Sequence, residues 1–362
     1  MAKKKTVKTD DEALRDALQM IAPGTMFREA LSAIIQSGTG ALICIGDAKL
    51  LTDLSEGGVQ LDAPITPQLL YELSKMDGAI VLNQDGTRII WANRFLKPDA
   101  KIHSDETGTR HRTAQRLAAQ AKAIVITVSQ RRSSVTLYVH DRRHVLDTIP
   151  TLVNKAIQSI QTLEKYMTVL KQAMTDLTTR EFQDVVTIFD VCKAIQRSEM
   201  VRRIAQEIEP YIVELGTEGR LFDLQLTELM QPMEEAQFVV KDYYREKGSH
   251  TYEAAWEKII SLNEQDLLDL GDLSAALGYG TNLRSIDTYL TPRGYRVLTA
   301  THRLPHTIIE SLVTRFGNLQ AIIRAPKDEL CEVDGIGEVL AERVRVSLNL
   351  LRNQLALDER RV

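Results

Sequence analysis

A chain of 362 residues exceeds what one ordinary hydrophobic core accommodates, so two or three domains are expected. Its 44% apolar and 26% charged residues are a globular mixture, and a net charge of −4 excludes a generally polycationic nucleic-acid coat, so any nucleic-acid contact has to be local. Cys44, Cys192 and Cys331 are far apart with no C-x-x-C pair, which argues against a disulfide framework or a zinc site and suits the reduced cytoplasm.

The amino end, Met1-Ala2-Lys3-Lys4-Lys5, precedes no apolar stretch, so it reads as a solvated tail and no signal peptide. No run approaches the length of a membrane span. Amphipathic helices are expected from Asp11 to Ile21, stopped by Pro23-Gly24, and from Met26 to Ile35. Ala41-Leu42-Ile43-Cys44-Ile45 is a short apolar run with the length of a buried strand. A helix from Pro67 to Lys75 has proline in its first turn. Ala79 to Leu82 and Arg88 to Ala92 flank Gln84-Asp85-Gly86 as a hairpin. A helix from Thr113 to Lys122 follows, then last strands over 124–128 and 135–139. Together these predict an α/β layer with a mixed sheet over residues 1–150.

Beyond Pro150, apolar residues recur in steps of three and four: Val153, Ala156, Ile160, Leu163, Met167, Leu170, Met174 and Leu177. This is an a/d seam, read either as a buried helix stripe or as a coiled coil. An all-α spine is expected over 151–290. A third segment, 291–362, is short, helical and arginine-rich. From Pro292 onward it nets +2 while the remainder nets −6, the direction a local DNA contact needs. His302 and His306, four apart, lack an evident third metal ligand.

Two clusters carry N-terminal chemistry. Met76-Asp77-Gly78-Ala79 puts a carboxylate at a strand mouth, where it can hold a hard divalent cation, and a glycine that allows close approach of a ligand; a bare turn is the alternative. Thr107-Gly108-Thr109-Arg110-His111-Arg112-Thr113-Ala114 stands before a helix with free N–H groups. Cations there oppose the helix dipole, so an anionic partner is expected; a capped helix with a solvated basic turn is the alternative. There is no Walker A phosphate loop, and Gly335-Ile336-Gly337 follows no strand, which disfavours a Rossmann site.

The Asp77-Gly78-Ala79 and Arg110-His111-Arg112 motifs, in this order and spacing, resemble those of the diadenylate cyclase family. The likeness extends over 40–139, including Gly46-Asp47 and Ser129-Gln130-Arg131-Arg132. It implies that two such domains face each other, each holding one ATP, and that each 3′-hydroxyl attacks the other's α-phosphate to give cyclic di-AMP and two pyrophosphates. It also implies roles: Asp77 for Mg²⁺ or Mn²⁺ and deprotonation; Gly78 and Leu96 for adenosine; Thr107, Gly108, Thr109, Arg110, His111 and Arg112 for phosphates; and Arg132 as a further phosphate contact.

At the other end, Leu330 to Val344 reads as a helix, a Gly335-Ile336-Gly337 turn and a second helix carrying Val339, Leu340, Val344 and Leu348. The glycines bring backbone N–H groups to the surface where a phosphate can dock, and Ile336 plugs the turn into the core. This resembles the helix-hairpin-helix motif of DNA repair proteins, with 304–317 as a degenerate first copy. It implies sequence-independent contact with DNA backbone through the turn, Arg343 and Arg345, against the opposing Glu338 and Glu342. The alternative is a protein-contact module. The order cyclase, spine, helix-hairpin-helix is similar to that of DNA-binding diadenylate cyclases. It implies a homo-octamer of two four-membered rings and a cyclase lowered by branched DNA. A DNA-binding repair factor that only senses nucleotide, and a pure scaffold, are the competing readings.

Overall fold

The computed structural model describes residues 9–231, 234–246, 251–281, 287–300 and 304–358; Lys3 to Lys5 and His302 lie outside them. The chain forms two compact units, one of residues up to 158 with 207–224, the other of 159–206 with those from 225 onward.

The first unit is built from α1 (Asp10–Ile21), α2 (Met26–Gln36), β1 (Ala41–Ile45), α3 (Ala48–Asp53), β2 (Ser55–Glu56), β3 (Val59–Pro64), α4 (Pro67–Ser74), β4 (Ala79–Leu82), β5 (Arg88–Leu96), α5 (Thr109–Ala121), β6 (Ile124–Ser129), β7 (Ser134–Val139) and β8 (Arg142–Val145). The sheet runs β2-β5-β4-β1-β6-β7-β8, with β3 also paired to β5. It is mixed, as expected: β1 and β4 are parallel, and the other pairings are antiparallel.

Side-chain alternation divides the core between the two faces. Ile43, Ile80, Ile126, Val128 and Leu137 face one layer with Leu18, Ile21, Leu31 and Ile34 of α1 and α2. Leu42, Cys44, Ala79, Val81 and Val125 face the other with Ala114, Leu117 and Ala118 of α5. Cys44 is fully buried there, and burial pushes its thiol up to about 12, an inert core residue.

Four features differ from expectation. The strand β8 extends the sheet beyond 135–139; its Arg142-Arg143-His144-Val145 is polar because it is an exposed edge. The exposed β3 and the short α3 were not foreseen either. Most consequential, α5 starts at Thr109 with Gly108 as its N-cap, four residues before the expected Thr113. Arg110, His111 and Arg112 are therefore the first helical turn itself.

The rest of the chain is helical; of it, residues up to 158 and 207–224 belong to the first unit and the remainder to the second. The 35-residue α6 (Ile149–Gln183) buries Ala156, Ile160, Leu163, Leu170 and Leu177 of the seam, while Val153, Met167 and Met174 are half-buried. After α7 (Ile188–Leu215) and α8 (Arg220–Met230) come α9 (Glu234–Tyr243), α10 (Tyr252–Ser261), α11 (Glu264–Leu268) and α12 (Leu270–Ala276). Val191, Ile195, Val239, Val240, Leu273 and Leu277 belong to one core.

The remaining helices, α13 (Tyr295–Ala300), α14 (His306–Phe316), α15 (Leu319–Arg324), α16 (Lys327–Cys331) and α17 (Glu338–Asp358), bury a separate cluster that includes Leu298, Leu312, Leu319, Leu330, Ile336 and Val344. Gly317 ends α14 in the left-handed region at φ 78°, and Asn318 caps α15 through its side chain, giving a helix-turn-helix pair. A second such turn joins α16 to α17 through Gly335 at φ 82°.

Candidate active site

Strand direction brings the N-terminal motifs to one sheet edge. The parallel register of β1 and β4 is Ile43↔Ile80, Cys44↔Val81 and Ile45↔Leu82. Carried three residues back, it sets Gly40 beside Asp77. The antiparallel partners of β1 and β4 bring the ends of β6 and β5 there too, through Ala41↔Val128 and Ala79↔Arg94. The turn 130–133, with Arg131 and Arg132, therefore opens at the same edge.

Arg110 reaches this edge from α5. A side chain added at Gly40 would meet the Arg110 Nη1 at 2.1 Å, so the missing Cβ of Gly40 is the seat of the guanidinium. Asp77, Gly78, Thr107, Gly108, Thr109, Arg110, Arg112 and Arg132 are all exposed, while Leu96 is buried in the α5 layer at the end of β5. Met76 and Phe95 expose 42% and 65% of their surface at this edge, an apolar rim around the acid.

Gly78 has φ 104°, and an added Cβ would lie 2.9 Å from the Asn93 and Arg94 backbone. What comes close to Gly78 is thus the bulged partner strand β5, a constraint of the sheet. Gly108 is different: it has no close neighbour but the His111 Cδ2 at 3.8 Å, and it caps α5 without a side-chain bond.

Arg112 turns back on the loop before it. Its Nε donates to the Glu106 carbonyl at 3.2 Å and its Nη2 to the Thr107 carbonyl at 3.2 Å, holding that loop against the helix start. His111 points inward. Its Nδ1 lies 2.9 Å from the Tyr138 hydroxyl and 3.2 Å from Thr127 Oγ1. The Tyr138 hydroxyl donates to Glu106 Oε1 at 2.7 Å, and Arg143 Nε donates to the same oxygen at 2.6 Å.

Burial depresses the His111 pKa; Glu106 opposes this, and Arg132, Arg143 and Arg110 add to it. Burial pushes the Glu106 carboxyl up, but the hydrogen bonds from Tyr138 and Arg143 outweigh it and hold it low. The field is therefore that of an anion site: three guanidiniums around a helix N-terminus, with one carboxylate locked in internal bonds.

Among the described residues no group of three or more His, Cys, Asp or Glu is arranged to hold a metal ion. The lone exposed Asp77 suits a cation that takes its remaining ligands from substrate phosphates and water, the usual habit of Mg²⁺. Thr127, Tyr138, Glu106 and Arg143 were not foreseen. Tyr138 reads as an ordinary strand residue, and Glu106 lies 32 positions away from it.

At the far end, Ile336 is 5% exposed in the α13–α17 core, while Gly335, Gly337, Arg343 and Arg345 are exposed. Val344 and Leu348 are buried, but Val339 is 77% exposed. The acids are occupied: Glu338 pairs with Lys327 at 3.0 Å and Glu342 with Arg345 at 3.2 Å. His306 begins α14 and stacks on Phe238. No helix among the described residues is long and apolar enough to cross a membrane.

Comparison with known proteins agrees over nearly the full length. Residues 28–143 match the family model "DisA bacterial checkpoint controller nucleotide-binding", and 146–286 match "DisA bacterial checkpoint controller linker region". The DNA integrity scanning protein DisA of Clostridium perfringens (strain 13 / Type A) is 45% identical over 351 residues, 96% of this chain and 98% of that protein. The DisA protein of Carboxydothermus hydrogenoformans is 47% identical over 345 residues, 95% of this chain and 98% of that protein. The chain belongs to the DisA family, and its N-terminal domain is a diadenylate cyclase domain.

Proposed function

We propose that the protein condenses two ATP molecules into cyclic di-AMP at the sheet edge where Arg110 meets Gly40, and that its C-terminal helices bind DNA backbone. The observation that carries the first half is the seat of the Arg110 guanidinium on the residue that β1–β4 register sets beside Asp77. Asp77 and Arg110, 33 positions apart in sequence, are on this reading the acid and the cation that face one ligand. The domain limits proposed with it are cyclase 1–150, spine 151–290 and helix-hairpin-helix 291–362.

In this reading the first turn of α5 receives the triphosphate. Thr109, Arg110 and the free N–H groups after Gly108 bind its oxygens, His111 contributes its outward nitrogen, and Arg132 contacts it from the opposite turn. Arg112 acts on the loop as well as on charge. Gly78 and Leu96 border the adenosine. Asp77 would hold Mg²⁺ or Mn²⁺, which supplies charge neutralisation and acidifies the attacking 3′-hydroxyl. That hydroxyl attacks the α-phosphate of an ATP held by a facing domain, and pyrophosphate leaves. Each domain brings half the reactants, so turnover requires oligomerisation, here taken as an octamer; exposed Met76 and Phe95 suit a surface that another domain covers. Catalysis is then mainly positioning and electrostatics.

Incubation with ATP and Mn²⁺ followed by mass spectrometry tests this. Cyclic di-AMP supports the cyclase. Bound but unchanged ATP leaves a nucleotide-sensing DNA factor, and no binding leaves a scaffold.

The DNA half rests on the exposed glycines that flank buried Ile336, with Arg343 and Arg345 on the following helix. Replacing both arginines by alanine is expected to weaken binding equally across sequences and to reduce the salt slope by about 2, one for each arginine that meets a phosphate. A fluorescence anisotropy series in rising salt reads both; an unchanged slope would move the binding surface elsewhere. We also propose that branched DNA lowers cyclase output, so a saturating four-way junction should reduce cyclic di-AMP formation.

A further inference from the structure

The hydrogen bonds around His111 fix more than its position. Tyr138 has one hydroxyl proton, and it goes to Glu106, a carboxylate that can only accept. The phenolic oxygen is therefore an acceptor toward His111 Nδ1, 2.9 Å away. Thr127 Oγ1 donates to the Thr136 carbonyl at 3.3 Å, so it too is an acceptor toward the same nitrogen at 3.2 Å. Two acceptors on Nδ1 place the ring proton there. Nε2 is then the nitrogen that carries no proton when the ring is neutral.

We propose that Glu106 and Tyr138 are positioning residues that hold His111 with its proton on Nδ1, so that Nε2 takes up a proton from solvent as the triphosphate binds. This rests on the cyclase reading of the same site. A bare Nε2 lone pair repels a phosphate oxygen, whereas a protonated one donates a charge-assisted bond to it. The groups that face the ring are Glu106 from the loop before α5, Arg110 from its own turn, Arg132 from the β6–β7 turn, Tyr138 from β7 and Arg143 from β8. Burial, with three of these groups cationic, favours the neutral ring before nucleotide arrives. An arriving tetra-anion reverses that balance and draws the proton in. Arg143 completes the device: its bond to Glu106 Oε1 keeps the carboxylate oriented at the phenol.

Calorimetric titration of the full-length protein with a non-reactive methylene analogue of ATP tests this, run in two buffers of different ionisation enthalpy over about pH 5.5 to 8.5. Wild type is expected to take up a fraction of a proton per nucleotide and to bind more weakly as pH rises. Tyr138→Phe keeps the buried ring shape but frees the imidazole to turn; affinity should fall about tenfold to a hundredfold, by analogy with the loss of an outer partner from a metal-ligating histidine. Glu106→Gln can still accept from Tyr138 but removes the charge that raises the His111 pKa. Its pH limb should therefore move to lower pH. If Tyr138→Phe proves misfolded, the Glu106→Gln shift still decides the matter. Wild-type affinity and an unmoved limb in the variants would overturn the proposal, as would a fall in melting temperature alone. A wild type that shows the proton uptake but makes no cyclic dinucleotide would instead remove the cyclase reading and leave the device standing.

Discussion

Asp77→Asn is expected to leave a folded protein whose cyclic di-AMP output falls about a thousandfold or more. The side chain is exposed and makes none of the described hydrogen bonds or ion pairs, so the fold has little stake in its charge. Exposed substitutions of this kind change stability by about 0.5 kcal/mol or less. The reaction, by contrast, has to bring a hydroxyl nucleophile to a phosphorus crowded by negative oxygens. Losing one well-placed group that handles developing charge commonly costs about 10²–10³ in rate. Asp77 is assigned two such tasks, cation binding and activation of the hydroxyl, which places the loss at the upper end. Product quantified by mass spectrometry beside a thermal melt separates the two effects. Output within tenfold of wild type would take Asp77 out of the mechanism.

The largest stability effect is expected at Glu181. It is fully buried, ion-paired with Arg296, which is 3% exposed, and accepts a bond from the Tyr243 hydroxyl at 2.7 Å. Asp242, also buried, accepts from the backbone N–H groups of Gly294 and Tyr295 at 2.7 and 2.6 Å through one oxygen, and from that of Arg296 at 2.9 Å through the other. It thereby ties the start of α13 to the end of α9. Burial pushes the Asp242 carboxyl up to about 7, with Glu181 adding to the rise and the backbone bonds opposing it.

Glu181→Ala strands the Arg296 guanidinium, whose Nε already has no hydrogen-bond partner among the described residues. Breaking such a pair from one side costs about 3–5 kcal/mol. For a unit of this size that is a fall of about 6–20 °C in melting temperature. Glu181→Gln, which keeps hydrogen-bonding capacity, should lose less. Differential scanning calorimetry checks both, and an alanine variant that melts with wild type would show the cluster to be energetically idle.

Much of the architecture was readable where burial writes itself into residue type. Ala41 to Ile45 is apolar because all five residues are buried, and the α6 stripe recurs because one face of a long helix is covered. Elements whose stability comes from a neighbour left no such mark. The exposed β3 contains Asp62 at φ 47° and Pro64, and β8 is Arg-Arg-His-Val; each is a strand only because β5 or β7 pairs with it. The start of α5 departs from expectation because a first turn of Thr-Arg-His-Arg opposes the helix dipole and so does not read as a helix start. The motif residues themselves were visible, since glycine and clustered cations are conspicuous. Their second layer was not: Tyr138 occupies an inward strand position like any core residue, and Thr127 and Arg143 meet it only through the sheet. In the C-terminal segment the burial of Ile336 followed from its place between two glycines, whereas the exposure of Val339 did not follow from its apolarity.

A crystal structure of the full-length protein with Mn²⁺ and a non-reactive ATP analogue, with the manganese located by anomalous scattering, examines the central geometry directly. One manganese peak is expected at the Asp77 carboxylate, with the triphosphate lying across Thr109 and Arg110 on the same sheet edge. Nucleotide bound on another face of the domain, or manganese and phosphates gathered away from Asp77, would contradict it.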